Sequence, residues 1–224
     1  MRMTAAAQRG FSLVEMMVAL ALGLIIIAGV LSFTVSSVAS VGRNIGSTRL
    51  MQELRGAMSI MAREIKRAGY DRDAIEAISR GVFPSGYAAV SINGAGDCLL
   101  MSYDRVGIAD TANAPGAGEW KGFRRTVVAG RGVIQVNATE NPPSCTGNTG
   151  WIDLTSRNDV DVKSLQLVQT GIAPIPGGAT PAGPITVDVR EVQITIRGAL
   201  VDDPATERGL DERVRVRTDV VTFP

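Results

Sequence analysis

The sequence contains no histidine among its 224 residues. That absence removes Ser-His and Cys-His nucleophile pairs, along with imidazole metal ligands, from the chemistry open to the chain. Aromatic residues are scarce at 4%, so the stacking platforms of a single-strand nucleic-acid binder are missing. An excess of one charge is missing too. The 23 Lys plus Arg nearly balance 22 Asp plus Glu, for a formal net charge of +1, and a dedicated nucleic-acid binder needs a stronger basic field than that. Asp202 and Asp203 adjoin in a turn, where successive side chains diverge, and no serine has a histidine to activate it. These gaps argue against an enzyme and against nucleic acid as a partner, and they call for no cofactor, metal or small-molecule substrate.

What the sequence does have is one uncharged run, residues 16–42, with a single carboxylate, Glu15, just ahead of it. At 1.5 Å per helical residue the run would be about 40 Å long, enough to cross a hydrocarbon core of about 30 Å. Arg2 and Arg9 precede it. Positive charge stays on the cytoplasmic side, which places the C-terminal part outside or in the periplasm. Roughly 180 residues remain there, enough for one ordinary domain. Both cysteines, Cys98 and Cys145, fall in that part. In an oxidising compartment a Cys98–Cys145 disulfide is the leading expectation, and two separate buried thiols are the alternative.

An ordinary secretory signal would have an apolar core of 7 to 15 residues next to its basic residues, with cleavage after that core. Ser37-Val38-Ala39 could serve as such a site, but the run is too long and Glu15 interrupts the approach to it. Gly10-Phe11-Ser12-Leu13-Val14-Glu15 instead resembles the class III signal of type IV prepilins and pseudopilins. The resemblance implies a leader at 1–10, cleavage by a membrane-embedded prepilin peptidase between Gly10 and Phe11, N-methylation of Phe11, and an assembly role for Glu15. In that family the acid pairs with the methylated amino terminus of a neighbouring subunit.

Ser12 and Glu15 also form an S-x-x-E capping box, so the acid could merely satisfy backbone donors and favour the helix dipole. A cap normally sits in water, however, whereas an ionised group near a bilayer centre costs at least about 2.5 kcal/mol. An intramembrane charge calls for a partner.

Beyond the run, Met51, Leu54, Met58, Met61, Ile65 and Ala68 recur at spacings of three and four, a single apolar stripe of helical period. Gly69 supplies a stop. One helix over about 12–68 is expected, weakened by Gly42, Gly46 and Gly56, with bending or local melting near 42–46. Ala19 and Gly23 would allow close helix packing in lipid. After residue 81 the pattern reads as strands at 98–103, 123–128, 132–136, 150–154 and 160–168. The segment 185–201 alternates with a phase shift that predicts a bulge or bend within one strand, and 213–223 alternates in turn, the two forming a hairpin across 202–211. The Pro- and Gly-rich segment 173–184 is expected to be a loop.

A second resemblance narrows the family. Ala62-Arg63-Glu64-Ile65-Lys66-Arg67-Ala68-Gly69-Tyr70, Cys98-Leu99-Leu100-Met101-Ser102-Tyr103-Asp104 and the strand Arg213-Val214-Arg215-Val216-Arg217 are similar to segments of PilW-type minor pilins. J-type pseudopilins of type II secretion are organised alike. The fold implied is α+β, a long N-terminal helix whose outer half packs on an antiparallel sheet. The segments are then 1–10 leader, 11–42 membrane and assembly half of the helix, 43–69 amphipathic half, and 70–224 periplasmic headgroup. The resemblance implies a minor pilin held in the inner membrane and then extracted into a pilus, with prepilin peptidase, other minor pilins and often a large tip adhesin as partners. A J-type pseudopilin and a minor pilin that binds DNA are the alternatives. Two weaker signals remain. The stretch 104–110 corresponds to an acidic turn that could hold calcium in related proteins, but here it carries only two acids and reads as an ordinary turn. Arg213, Arg215 and Arg217 share one face of the last strand, either as a contact for DNA or an acidic partner or as a solvated sheet face.

Overall fold

The computed structural model describes residues 10–74, 86–105, 114–116, 118–139, 142–171, 175–180 and 183–222. The chain divides into two compact units, Met1–Gly46 and Ser47–Pro224. Helix α1 (Leu13–Arg67) runs through both. Gly42 and Gly46 lie inside it, so the local melting expected there does not occur, although the division between the units falls at Gly46.

In the first unit α1 is apolar on every side. Leu20, Ile25, Ile27 and Leu31 are each more than half exposed. Burying such a side chain is worth about 1.5–3 kcal/mol, so this surface calls for an apolar surrounding. The helix is long and apolar enough to cross a membrane.

In the second unit the helix becomes one-sided. Leu50, Leu54, Ala57, Met58, Met61, Ala62 and Ile65 are buried. Met51, expected in this stripe, is only half-buried. Leu50 takes its place, because the buried arc is broad enough to take in Ala57 and Ala62 as well. Past Arg67 the chain turns at Gly69, whose φ of 79° favours glycine, and the Gly69 N–H donates to the Ser102 carbonyl at 2.9 Å. Tyr103 clamps the helix end: its hydroxyl donates to Glu64 Oε2 at 2.7 Å and Arg67 lies 4.5 Å from its ring centroid. Burial, reinforced by the Glu64 contact, pushes the Tyr103 pKa up to about 12.

Among the described residues the strands form three antiparallel sheets, where the sequence suggested one. The first orders β1 (Val90–Ile92), β2 (Cys98–Ser102), β3 (Trp120–Val128), β4 (Arg131–Asn137) and β5 (Trp151–Asp153) in sequence. The strands expected at 98–103, 123–128, 132–136 and 150–154 all appear within it, and only the short β1 was not anticipated. The second sheet orders β10 (Glu207–Arg215), β9 (Arg190–Leu200) and β6 (Val160–Gly171). The third orders β11 (Val220–Thr222), β8 (Gly183–Asp188) and β7 (Ile175–Thr180). Three expectations need correction here. The phase shift in 185–201, expected as a bulge or bend within one strand, is a strand break at Val189, where the chain leaves one sheet for another. The segment 213–223 is likewise two strands, and β10 begins at Glu207, inside the stretch taken for a polar connection. Most of the segment 173–184 pairs as part of a β7–β8 hairpin, with the register shift between Pro176 and Gly178 absorbing its irregular backbone. Residues 173–174 and 181–182 of that stretch lie outside the described residues.

The core joins α1 to both larger sheets. Leu54 and Met61 belong to one buried cluster with Leu99, Phe123, Ile134, Leu165, Ile194, Ile196 and Val214. The two sheets meet at Gly132, where a Cβ would stand 2.0 Å from the Val162 carbonyl oxygen. That oxygen accepts from Arg125 Nε at 2.7 Å, and the Gly132 N–H donates to Asp161 Oδ1 at 2.8 Å. The irregularity of β6 between Val162 and Ser164 lies at the same seam. Gly132→Ala forces backbone against backbone, so it should lower stability by about 3 kcal/mol or more. Chemical denaturation of the full chain in detergent checks this, and an unchanged midpoint would refute the close approach.

Candidate functional site: the processing and assembly segment

Gly10, Phe11 and Ser12 lie just before α1 in no regular structure. Phe11 is 85% exposed, and a Cβ built on Gly10 would meet nothing within 4 Å. No described residue covers the Gly10–Phe11 junction, and α1 begins two residues beyond it. Glu15 sits in the first turn of α1, four residues after Phe11, and is exposed. The Met16 N–H donates to the Ser12 carbonyl at 3.1 Å, which starts the helix. The reciprocal side-chain bonds of the capping box do not form. Among the described residues neither Ser12 Oγ nor the Glu15 carboxylate makes a hydrogen bond or ion pair. Among those residues the acid is left without a partner. Arg2 and Arg9 lie outside the described residues.

Residues 5–31 match the prokaryotic N-terminal methylation motif, which takes in Gly10, Phe11, Glu15 and the first half of the apolar run. Residues 43–216 match the family described as prepilin peptidase-dependent protein B. The chain belongs to that family. No curated protein and no solved structure matches it. Membership of a prepilin peptidase-dependent family implies processing by prepilin peptidase. With the methylation motif leading into an exposed apolar helix, this is a membrane-anchored, type IV pilin-like protein. The family match begins within α1 and extends to Val216, so it covers the helix end and nearly all of the sheet scaffold.

Within that family fold the two cysteines are joined. Cys98, at the start of β2, bonds Cys145 with a Cα–Cα separation of 6.0 Å. A residue that no motif singled out supports the bridge. Arg124 on β3 lies opposite Cys98 in register, and its Nη1 donates to the Cys145 carbonyl at 2.9 Å and to the Gly147 carbonyl. Its Nε and Nη2 both donate to Gln135 Oε1, and its guanidinium lies 4.2 Å from the Trp151 ring. Sequence reading missed Arg124 because a lone arginine in a strand looks like a solvated one, and only the loop folded over it makes it a buried clamp.

The remaining sequence candidates divide. Arg213, Arg215 and Arg217 are exposed while Val214 and Val216 are buried, as the alternation predicted. Asp203 serves its turn, with its carboxylate accepting from Thr206 Oγ1 at 2.6 Å. Among the described residues there is no cluster of His, Cys, Asp or Glu that could hold a metal. Most of the stretch weighed as a calcium turn, residues 106–110, lies outside the described residues.

Proposed function

We propose that this chain is a minor pilin of the PilW type, acting in assembly of a type IV pilus as part of a complex of minor pilins that primes polymerisation and sits at the tip. Residues 1–10 are the leader, 11–42 the membrane and assembly half of the helix, 43–69 its amphipathic half and 70–224 the headgroup. Prepilin peptidase cuts between Gly10 and Phe11 and methylates Phe11. Glu15 then pairs with the methylated amino terminus of an adjacent subunit. Before assembly the headgroup faces the periplasm, and afterwards it lies outside the cell on the pilus. The role is structural rather than enzymatic.

The observation that carries this reading is Glu15 itself. It is a carboxylate with no hydrogen-bonding or ionic partner among the described residues, at the head of an exposed apolar helix and four residues after an open Gly–Phe junction. A charge so placed is costly in lipid unless a second molecule supplies the counter-ion. Support also comes from the methylation motif that spans these residues and from the family match over the headgroup.

Mass spectrometry of the membrane-extracted protein tests the first step. The expected product is a peptide beginning with N-methylated Phe11, and an intact leader in cells holding active peptidase would overturn the assignment. Deletion of the chain tests the second, because a priming pilin should cost the cell its pili. Normal piliation with failed protein export would assign the chain instead to a type II secretion pseudopilus.

A further inference from the structure

We propose that the headgroup carries a docking edge for an extended acidic segment of another protein, made by the free edge of β10 and the basic cleft at its C-terminal end. The surface lies on the outer end of α1 and on the headgroup, within one compact unit, so the inference stands whether or not the chain enters a filament.

Among the described residues strand β10 is the outer strand of its sheet, paired only with β9 from Glu207↔Ala199 to Arg215↔Glu191. In an antiparallel pair alternate residues turn both backbone N–H and C=O away from the partner strand. Among the described residues, no backbone group from 208 to 215 bonds to anything beyond β9. The opposite edge of the sheet is closed, because the Leu167 N–H on β6 donates to the Gly96 carbonyl and the Val162 carbonyl takes Arg125. An open edge of this kind is a template for strand addition.

Charge alone on an edge strand guards against aggregation, and for that purpose either sign will do. On β10 the signs are sorted. Glu207, Asp211 and Glu212 hold one end, against Arg208, and Arg213 and Arg215 hold the other, with Arg217 two residues past the end of the strand. At the basic end Lys66, in the last turn of α1, joins Arg215 and Arg217 around an open cleft of about 410 Å³. The Arg217 N–H donates to the Lys66 carbonyl at 3.4 Å, which fixes helix end and strand together. Arg215 also pairs with Asp219 at 3.2 Å, whereas Lys66 and Arg217 have no acidic partner among the described residues. Two unpaired cations and one shared one face the same small volume.

The spacing selects the occupant. Arg213 and Arg215 stand two residues apart on one face, about 6.8 Å, and a paired strand with acids at alternate positions would match them. Duplex DNA presents a charge about every 1.7 Å along its axis. A duplex extends past the basic end and would also meet Glu207 and Asp211 on the same face, whereas a short acidic strand paired at Arg213 and Arg215 and reaching the cleft stays clear of them, so a single acidic strand suits the surface better.

Fluorescence anisotropy of the full chain in detergent micelles, titrated against a short capped peptide alternating glutamate and threonine, tests the proposal. Binding is expected. It should weaken at least about tenfold in Lys66→Ala/Arg215→Ala/Arg217→Ala, a variant whose melting temperature should match the parent because all three side chains are exposed. N-methylation of alternate peptide amides should abolish binding by blocking the strand's donors. Charge reversal, Arg215→Glu with Arg217→Glu, should turn the preference to a lysine–threonine peptide. Failure of the acidic peptide to bind, equal binding by the triple variant, or indifference to N-methylation would each overturn the proposal. Tighter binding of duplex DNA than of the peptide would overturn it in favour of nucleic acid.

Discussion

Glu15→Val should leave the chain inserted in the membrane and cut after Gly10, yet almost absent from filaments. Removing one partner of an ion pair in a low-dielectric setting costs about 3–5 kcal/mol, because the other charge is left unpaired. At about 1.4 kcal/mol per tenfold, incorporation should fall more than about a hundredfold. Glu15→Gln separates the two roles open to this residue. Glutamine fills the same position in a capping box, so a helix-capping role predicts normal assembly, and the ion-pair role predicts failure. The structure already weighs on this choice, since Ser12 and Glu15 make no capping bonds. Quantifying the processed chain in sheared pili against the membrane fraction gives the answer, and normal incorporation of either variant would sink the ion-pair reading.

The second large effect is expected at the disulfide. Cys98 and Cys145 are 47 residues apart in sequence, and closing a loop of that size stabilises the folded state by about 4 kcal/mol in the chain-entropy account. For a unit the size of this headgroup, Cys98→Ala/Cys145→Ala should lower the melting temperature by about 10 °C. Reduced wild-type protein should melt alongside the variant. Arg124 holds the same segment through two carbonyls, so Arg124→Ala in the double variant should lower it further. Thermal melts followed by circular dichroism, with and without reductant, provide the test. A double variant melting within about 2 °C of the parent would show that Arg124 and its neighbours suffice to close the loop.

Much of this was legible in the chain itself. The stop at Gly69 and the stripe from Leu54 to Ala68 followed from helical periodicity, because a helix packed on one side has only one way to bury its apolar residues. The hairpin of β9 and β10 followed from alternation. What failed to read through was partition. Val189 interrupts the alternation in the same way whether a strand bulges or the chain crosses between sheets, and only the partners on either side tell the two apart. The segment 173–184 looked like loop because Pro and Gly disfavour strands, and yet at a sheet edge, where few ladder bonds are needed, both are tolerated.

By itself the sequence determined the anchor, the processing signal and the lone acid, since these depend on residues adjacent in the chain and on their transfer from water to lipid. Tertiary structure decided the rest. It buried Arg124 under a loop, pressed Gly132 against Val162, and set Lys66 beside Arg215 and Arg217. Those contacts join residues distant in the chain, and no local pattern records them, because they form only where separately folded elements compete for the same space.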